Sequence, residues 1–119
     1  MATPVLTHTT LHLTPVEVWE RQIDGGSYLP EAFDQDGFIH TTNFESKLIE
    51  IANLFYQSDP RPYYVLDVDL SANNEKTIYE DPDNAFPHIY GPIHTAAVTR
   101  TRYVLRTADG NFLGFGGPV

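Results

Sequence analysis

Twice in this chain a threonine stands three residues ahead of a glutamate at the head of an apolar stripe, and these two boxes fix where helices can begin. The first is Thr14-Pro15-Val16-Glu17. Threonine can cap, proline fits the first helical position, and the glutamate can close a capping box. Val16, Trp19 and Ile23 follow at i, i+3 and i+7 and make one apolar face, which Gly25-Gly26 ends. The spacing predicts a helix over about residues 14–25. The second box is Thr42-Asn43-Phe44-Glu45, leading into Phe44, Leu48, Ile51, Ala52 and Phe55 at helical spacing. A helix over about 43–57 is predicted, stopped by Asp59-Pro60-Arg61-Pro62 because proline bars continuation.

The remaining segments carry the period of strands. Gly37-Phe38-Ile39-His40-Thr41-Thr42 reads as a short extended run into the second box. Tyr63 to Leu70 alternates, with Tyr64, Leu66, Val68 and Leu70 on one face and Asp67 and Asp69 on the other, the pattern of a strand with one buried side. Thr77 to Glu80 is a shorter strand, Asp81 to Ala85 a turn, and His88 to Tyr90 extended up to Gly91-Pro92. Val98 to Arg106 is a long strand, Asp109-Gly110 signals a hairpin, and Phe112 to Phe115 can pair back. Two helices interleaved with short strands, then a run of strands, argue for an α+β fold with a mostly antiparallel sheet.

At 119 residues the chain reads as a single domain over 1–119, large enough for one core. It has no cysteine, which removes thiolate chemistry and cysteine-ligated metal sites. Nothing approaches the roughly 20 apolar residues of a membrane span, and no secretory signal is visible, so a cytoplasmic location is expected. Sixteen acidic residues against seven basic ones give a formal charge of −9. That charge opposes extended nucleic-acid binding, which needs clustered lysine and arginine. A small-molecule or nucleotide ligand remains the expected partner, and oligomeric state is not readable.

Three histidines share a setting beside a loop: His12 before the first helix start, His40 before the second, and His88 in Phe86-Pro87-His88-Ile89-Tyr90-Gly91-Pro92. A titratable side chain at a strand end is where sites are assembled, although each ring can equally satisfy a buried backbone group or face water. His8 and His94 lack this context and read as surface residues. His-x-Thr occurs at His8–Thr10, His12–Thr14 and His40–Thr42. A histidine acid–base group beside a hydroxyl is the pattern of two-histidine phosphoesterases, but Thr14 and Thr42 are already explained as caps. No close ligand pair is present, so no metal is expected.

Arg100, Arg102 and Arg106 share one strand face and suit either an anionic ligand or pairing with Asp67 and Asp69. Glu80, at a strand end, can be a catalytic or a solvated carboxylate. Tyr90 can stack on a ring, donate its hydroxyl, or belong to the core.

Together these motifs resemble the domain-of-unknown-function family 952. Three blocks carry the resemblance: Leu11-His12-Leu13-Thr14 with Trp19-Glu20; Gly37 to Thr42 with the helix through Asn53 and Phe55; and Tyr79-Glu80 with Phe86 to Pro92. They span about 11–106. Leu11 stands where the family more often has an aromatic residue. The resemblance implies an ADP-ribosyltransferase-like (ADP-ribosylation) fold, with a split, bent sheet forming an NAD cleft. By position it gives His12, Thr14, Thr41, Thr42 and Tyr90 to ligand binding and His40, His88 and Glu80 to catalysis, with NAD as substrate. The function implied is an NAD- or nucleotide-binding transferase of the ADP-ribosyltransferase or RNA 2′-phosphotransferase type. A non-catalytic ligand-binding domain on the same fold is the alternative, and a phosphoesterase using His12 and His40 is another.

Overall fold

The computed structural model describes residues 9–119. Its frame is set by β4, Tyr63–Asp69, which lies between β1, Thr9–Pro15, and β8, Val98–Arg106; β9, Phe112–Pro118, closes the sheet in the order β1-β4-β8-β9. Every pairing is antiparallel. Because β4 is central, both its faces are buried. Tyr63, Val65 and Asp67 lie on one side and Leu66 and Val68 on the other, where alternation had predicted a single buried face. Asp67 faces a carboxylate-binding pair of arginines, which is why a charge is tolerated there.

The first capping box does not cap. Thr14 and Pro15 are the last residues of β1, paired with Tyr64 and Tyr63. The Thr14 side chain is fully buried, and Pro15 takes the cap position without a side-chain hydrogen bond. The predicted helix over 14–25 shrinks to α1, Val16–Glu20, plus a 3-10 turn at Ile23–Gly25. Gly26, at φ 85°, closes that turn. Val18 and Trp19 carry the buried face, while Ile23 is exposed.

The second box fails for a related reason. Thr42 exchanges two 2.9 Å main-chain hydrogen bonds with Leu11 and so stays extended. Helix α3 therefore runs Glu45–Phe55, shorter than the predicted 43–57. Glu45 turns away to accept from Arg102 Nη1 at 2.9 Å. Leu48 and Ala52 face the sheet, but Phe44 and Phe55 at the ends of the stripe are 52% and 66% exposed.

A second sheet, β3-β6-β5, contains Ile39–His40, Pro87–Ile89 and Thr77–Tyr79, all antiparallel. Ser27–Tyr28 (β2) pairs with Ile93–His94 (β7). Two one-turn helices, α2 at Phe33–Asp36 and α4 at Leu70–Asn73, complete the architecture. Leu70 leaves the strand because Asp69 caps Ser71 N–H at 3.0 Å. The four-stranded sheet is covered on one face by α3, through Leu11, Leu48, Val65, Ala52, Tyr63 and Phe112. The other face meets the small sheets through Trp19, Tyr28, Ile39, Leu66, Val68, Ile89, Ile93 and Ala97. The reciprocal Leu11–Thr42 bridge joins β1 to the chain leaving β3, so the three-stranded sheet continues the four-stranded one through a narrow neck.

Candidate functional site

The site is built at that neck. Strand alternation puts Leu11 toward α3 and His12 toward β2 and β3. There His12 Nδ1 lies 2.8 Å from the His40 carbonyl oxygen and Nε2 lies 2.8 Å from the Tyr28 hydroxyl. That hydroxyl is also 2.9 Å from Thr14 Oγ1, which lies 3.2 Å from the Pro15 carbonyl oxygen. Burial pushes the His12 pKa down to about 4, against a smaller opposing push from the His40 carbonyl, so the ring is neutral at pH 7. A carbonyl can only accept, so the single ring proton sits on Nδ1 and Nε2 is the acceptor. Burial likewise pushes the Tyr28 hydroxyl pKa upward, keeping it protonated.

His40 turns its side chain the opposite way. It lies directly across from His88 in the β3–β6 register, with ring centroids 5.5 Å apart. Each of these rings has its own carboxylate: His40 Nε2 lies 3.0 Å from Asp36 Oδ2, and His88 Nδ1 lies 3.1 Å from Glu80 Oε1. The Tyr90 hydroxyl donates to the same Glu80 oxygen. That bond, then the His88 contact, holds the Glu80 carboxyl below its ordinary range, so it is ionised. Phe38 stacks on His88 at 4.0 Å and 18°, and lies 4.7 Å from His40 and 5.4 Å from Tyr90.

His40 is the ridge between two concavities. One, of about 260 Å³, reaches His12, Tyr28, Phe38 and Tyr56 and carries Glu31, Asp36 and Asp59 on its walls. The other, of about 670 Å³, is lined by His88, Glu80, Ile51, Phe55 and Phe86. Thr42 borders both. The expected site residues thus fall into three groups. His40, His88, Glu80 and Tyr90 form one surface cluster. His12 and Thr14 form a buried network behind it. Thr41 is buried, its hydroxyl donating to the Pro87 carbonyl at 2.6 Å. His94, read from sequence as a surface residue, is half-buried and lies 2.6 Å from Glu75 Oε2. His8 lies outside the described residues.

The arginine stripe is structural. Arg100 and Arg102 both donate to Asp67, at 2.9–3.2 Å. Arg106 donates to the carbonyls of Arg61, Tyr56, Gln57 and Gly110. Arg61, on the wall of the smaller concavity, is engaged by Asp59, Glu17 and Glu31. No group of three His, Asp or Glu side chains among the described residues is arranged to hold a metal.

Sequence reading missed Tyr28, Asp36 and Phe38. Phe38 had a signal, since residues i and i+2 on an extended run share a face with His40. Tyr28 had none, because β2 is two residues long.

Fold and site together define a small protein of mixed helix and antiparallel sheet, with a histidine–carboxylate cluster beside a buried neutral histidine. The chain belongs to the family described as protein of unknown function (DUF952), whose sequence model matches residues 13–101. It is similar in fold to protein CC0527 from Caulobacter crescentus. The crystal structure of that protein is 23% identical, with 88% of this chain and 93% of that one covered and a TM-score of 0.75. A double mutant of it gives a TM-score of 0.74 with the same identity and coverage. Its solution NMR structure is 22% identical over 87% and 90% of the two chains, with a TM-score of 0.68. No curated protein matches the chain.

Proposed function

We propose that this protein is an NAD-dependent transferase, built on an ADP-ribosyltransferase-like fold, that binds its nucleotide across the His40 ridge. The observation that carries the reading is Glu80. Its Oε1 receives both Tyr90 and His88, which leaves Oε2 to face a ligand. Breaking the bond between nicotinamide and ribose releases nicotinamide with the electron pair and leaves positive charge at the ribose anomeric carbon. A preorganised, ionised carboxylate stabilises that charge.

The narrow join between the two sheets supports the fold reading, since a split sheet is what such a cleft requires. The smaller concavity supports the ligand class. Glu31, Asp36 and Asp59 outnumber Arg61 on its walls, and Tyr28, Phe38, Tyr56 and Tyr63 supply ring faces. That suits the flat, positively charged nicotinamide end of NAD, with the diphosphate directed outward to solvent. In this reading His12 forms the neutral floor, His40 and Thr42 border the ligand, and Thr14 and Thr41 act through the backbone they fix.

A phosphoesterase using His12 and His40 fits less well. Both His12 nitrogens are occupied, and the guanidinium beside the cleft is already engaged by carboxylates. The test is calorimetric titration with NAD followed by chromatographic assay of nicotinamide release. Heat of binding plus release above the buffer rate supports the transferase. Binding without release supports a non-catalytic ligand-binding domain, and no heat with NAD, ADP-ribose or nicotinamide removes both.

A further inference from the structure

The larger concavity is a second site whose chemistry can be read without reference to NAD. Its walls are apolar: Ile51 and Phe55 from α3 and Phe86 from the loop before β6. Its polar end carries His40, His88 and Glu80. A carboxylate only accepts, so the proton of each neutral ring must sit on the nitrogen facing it. That nitrogen is Nε2 in His40, facing Asp36, and Nδ1 in His88, facing Glu80. In the singly protonated form of each ring the remaining nitrogen, His40 Nδ1 or His88 Nε2, is a lone-pair acceptor. Glu80 Oε2 adds a third acceptor with negative charge. Asp81, also at this end, directs its oxygens to the backbone N–H groups of Ala85 and Phe86. A ligand here meets an apolar wall and a head site with acceptors and a carboxylate; no lysine or arginine is among the lining residues, and Lys76 lies over the Tyr90 ring, 5.6 Å from its centroid.

We propose that the concavity walled by Ile51, Phe55 and Phe86 binds a small hydrophobic primary amine, with its ammonium group between Glu80 and the remaining ring nitrogens of His40 and His88. The ammonium supplies three donors to three acceptors, and its charge matches the carboxylate. The hydrocarbon part covers Phe55, whose ring is otherwise left in water. Anionic heads are repelled by Glu80, and neutral alcohols fill only part of the acceptor set. If the transferase reading holds, such an amine is the acceptor. Its ammonium first passes one proton through His88 to solvent; the lone pair this frees bonds the ribose carbon as nicotinamide leaves with the electron pair, and the second proton the nitrogen then sheds leaves by the same histidine. Amine binding itself does not depend on that reading.

The experiment is calorimetric titration of the whole chain, without NAD, with phenethylamine, phenethyl alcohol and phenylacetate at neutral pH. Phenethylamine is expected to bind at least about tenfold more tightly than phenylacetate. Phe55→Ala removes an exposed side chain and leaves the fold intact; it should weaken phenethylamine by roughly tenfold through lost apolar contact. Glu80→Gln should bring the amine close to the alcohol in affinity. Equal binding of phenylacetate, no amine binding, or amine binding unchanged by both substitutions overturns the proposal. None of these results bears on NAD titration, so the two readings fail separately.

Discussion

The His12 ring is fastened to the backbone of His40: Nδ1 lies 2.8 Å from that carbonyl, across the neck where the two sheets meet. This bond and the Leu11–Thr42 pair bring β1 and β3 together. Burial also displaces the titration of His12, pushing its pKa down to about 4 from an ordinary 6.5. The unfolded chain therefore binds a proton between pH 6.5 and 4 that the folded chain refuses. Stability is fully present above pH 6.5 and is lost as pH falls toward 4, by roughly 3 kcal/mol from this residue. Denaturant midpoints measured from pH 7.5 to 4 should show the fall, and His12→Gln should flatten it. An equal slope in that variant removes His12 as the cause.

Tyr28→Phe tests the far side of the same ring. It keeps the packing against Trp19, whose ring centroid is 5.6 Å away, but leaves His12 Nε2 without its donor and Thr14 with one partner fewer. A loss of about 1–3 kcal/mol is expected for a buried acceptor left unpaired. Urea unfolding of the variant at pH 7 measures it, and a loss below the experimental error would show that the hydroxyl is dispensable.

Asp67 predicts an asymmetry between two arginines. The side chains of Asp67 and Arg102 are each 8% exposed, whereas that of Arg100 is 51% exposed. Asp67→Ala leaves the Arg102 guanidinium buried with only Glu45 and should cost about 3–5 kcal/mol. Arg100→Ala removes a solvent-screened pair and should cost less than about 1 kcal/mol. Thermal or denaturant unfolding of both variants decides the matter. Similar losses would mean that burial does not govern the pair.

What the sequence disclosed follows from how long each pattern runs. Strands β4 and β8 span seven and nine residues, long enough for alternation to show, and the Asp109-Gly110 turn marks the hairpin after β8. The two-residue strands β2, β3 and β7 carry no period at all; their place is set by partners far along the chain. The two capping boxes misled because tertiary hydrogen bonding outcompeted a local preference: Thr14 and Thr42 are both held in strand-like pairing. Loop context singled out His12, His40 and His88. Asp36 stands only four residues before His40, at the end of α2, a local contact that sequence reading passed over; the carboxylate His88 meets depends on the β5–β6 connection that carries Glu80.

The β8–β9 turn offers a backbone test. Gly110 sits at φ +95°, and a Cβ there would lie 2.2 Å from the Gln57 carbonyl oxygen. The obstacle is main chain, so it cannot swing aside, and the left-handed conformation adds its own cost. Gly110→Ala should lose at least about 2 kcal/mol. A variant as stable as the parent in a thermal melt would show that this turn yields more readily than its contacts imply.

Glu80 separates chemistry from architecture. The residue is partly exposed and makes its contacts through one oxygen, so Glu80→Gln preserves shape while removing charge. If Glu80 stabilises positive charge at the ribose carbon, nicotinamide release should fall by about 100-fold or more. NAD affinity should change much less, because charge develops only as the bond breaks. Tyr90→Phe should produce a smaller loss, since His88 still holds the same carboxylate oxygen. Single-turnover assays give the rate and calorimetry the affinity. A Glu80→Gln variant that releases nicotinamide at the parental rate would leave Glu80 as a tether for His88 and Tyr90 and move the proposed chemistry elsewhere.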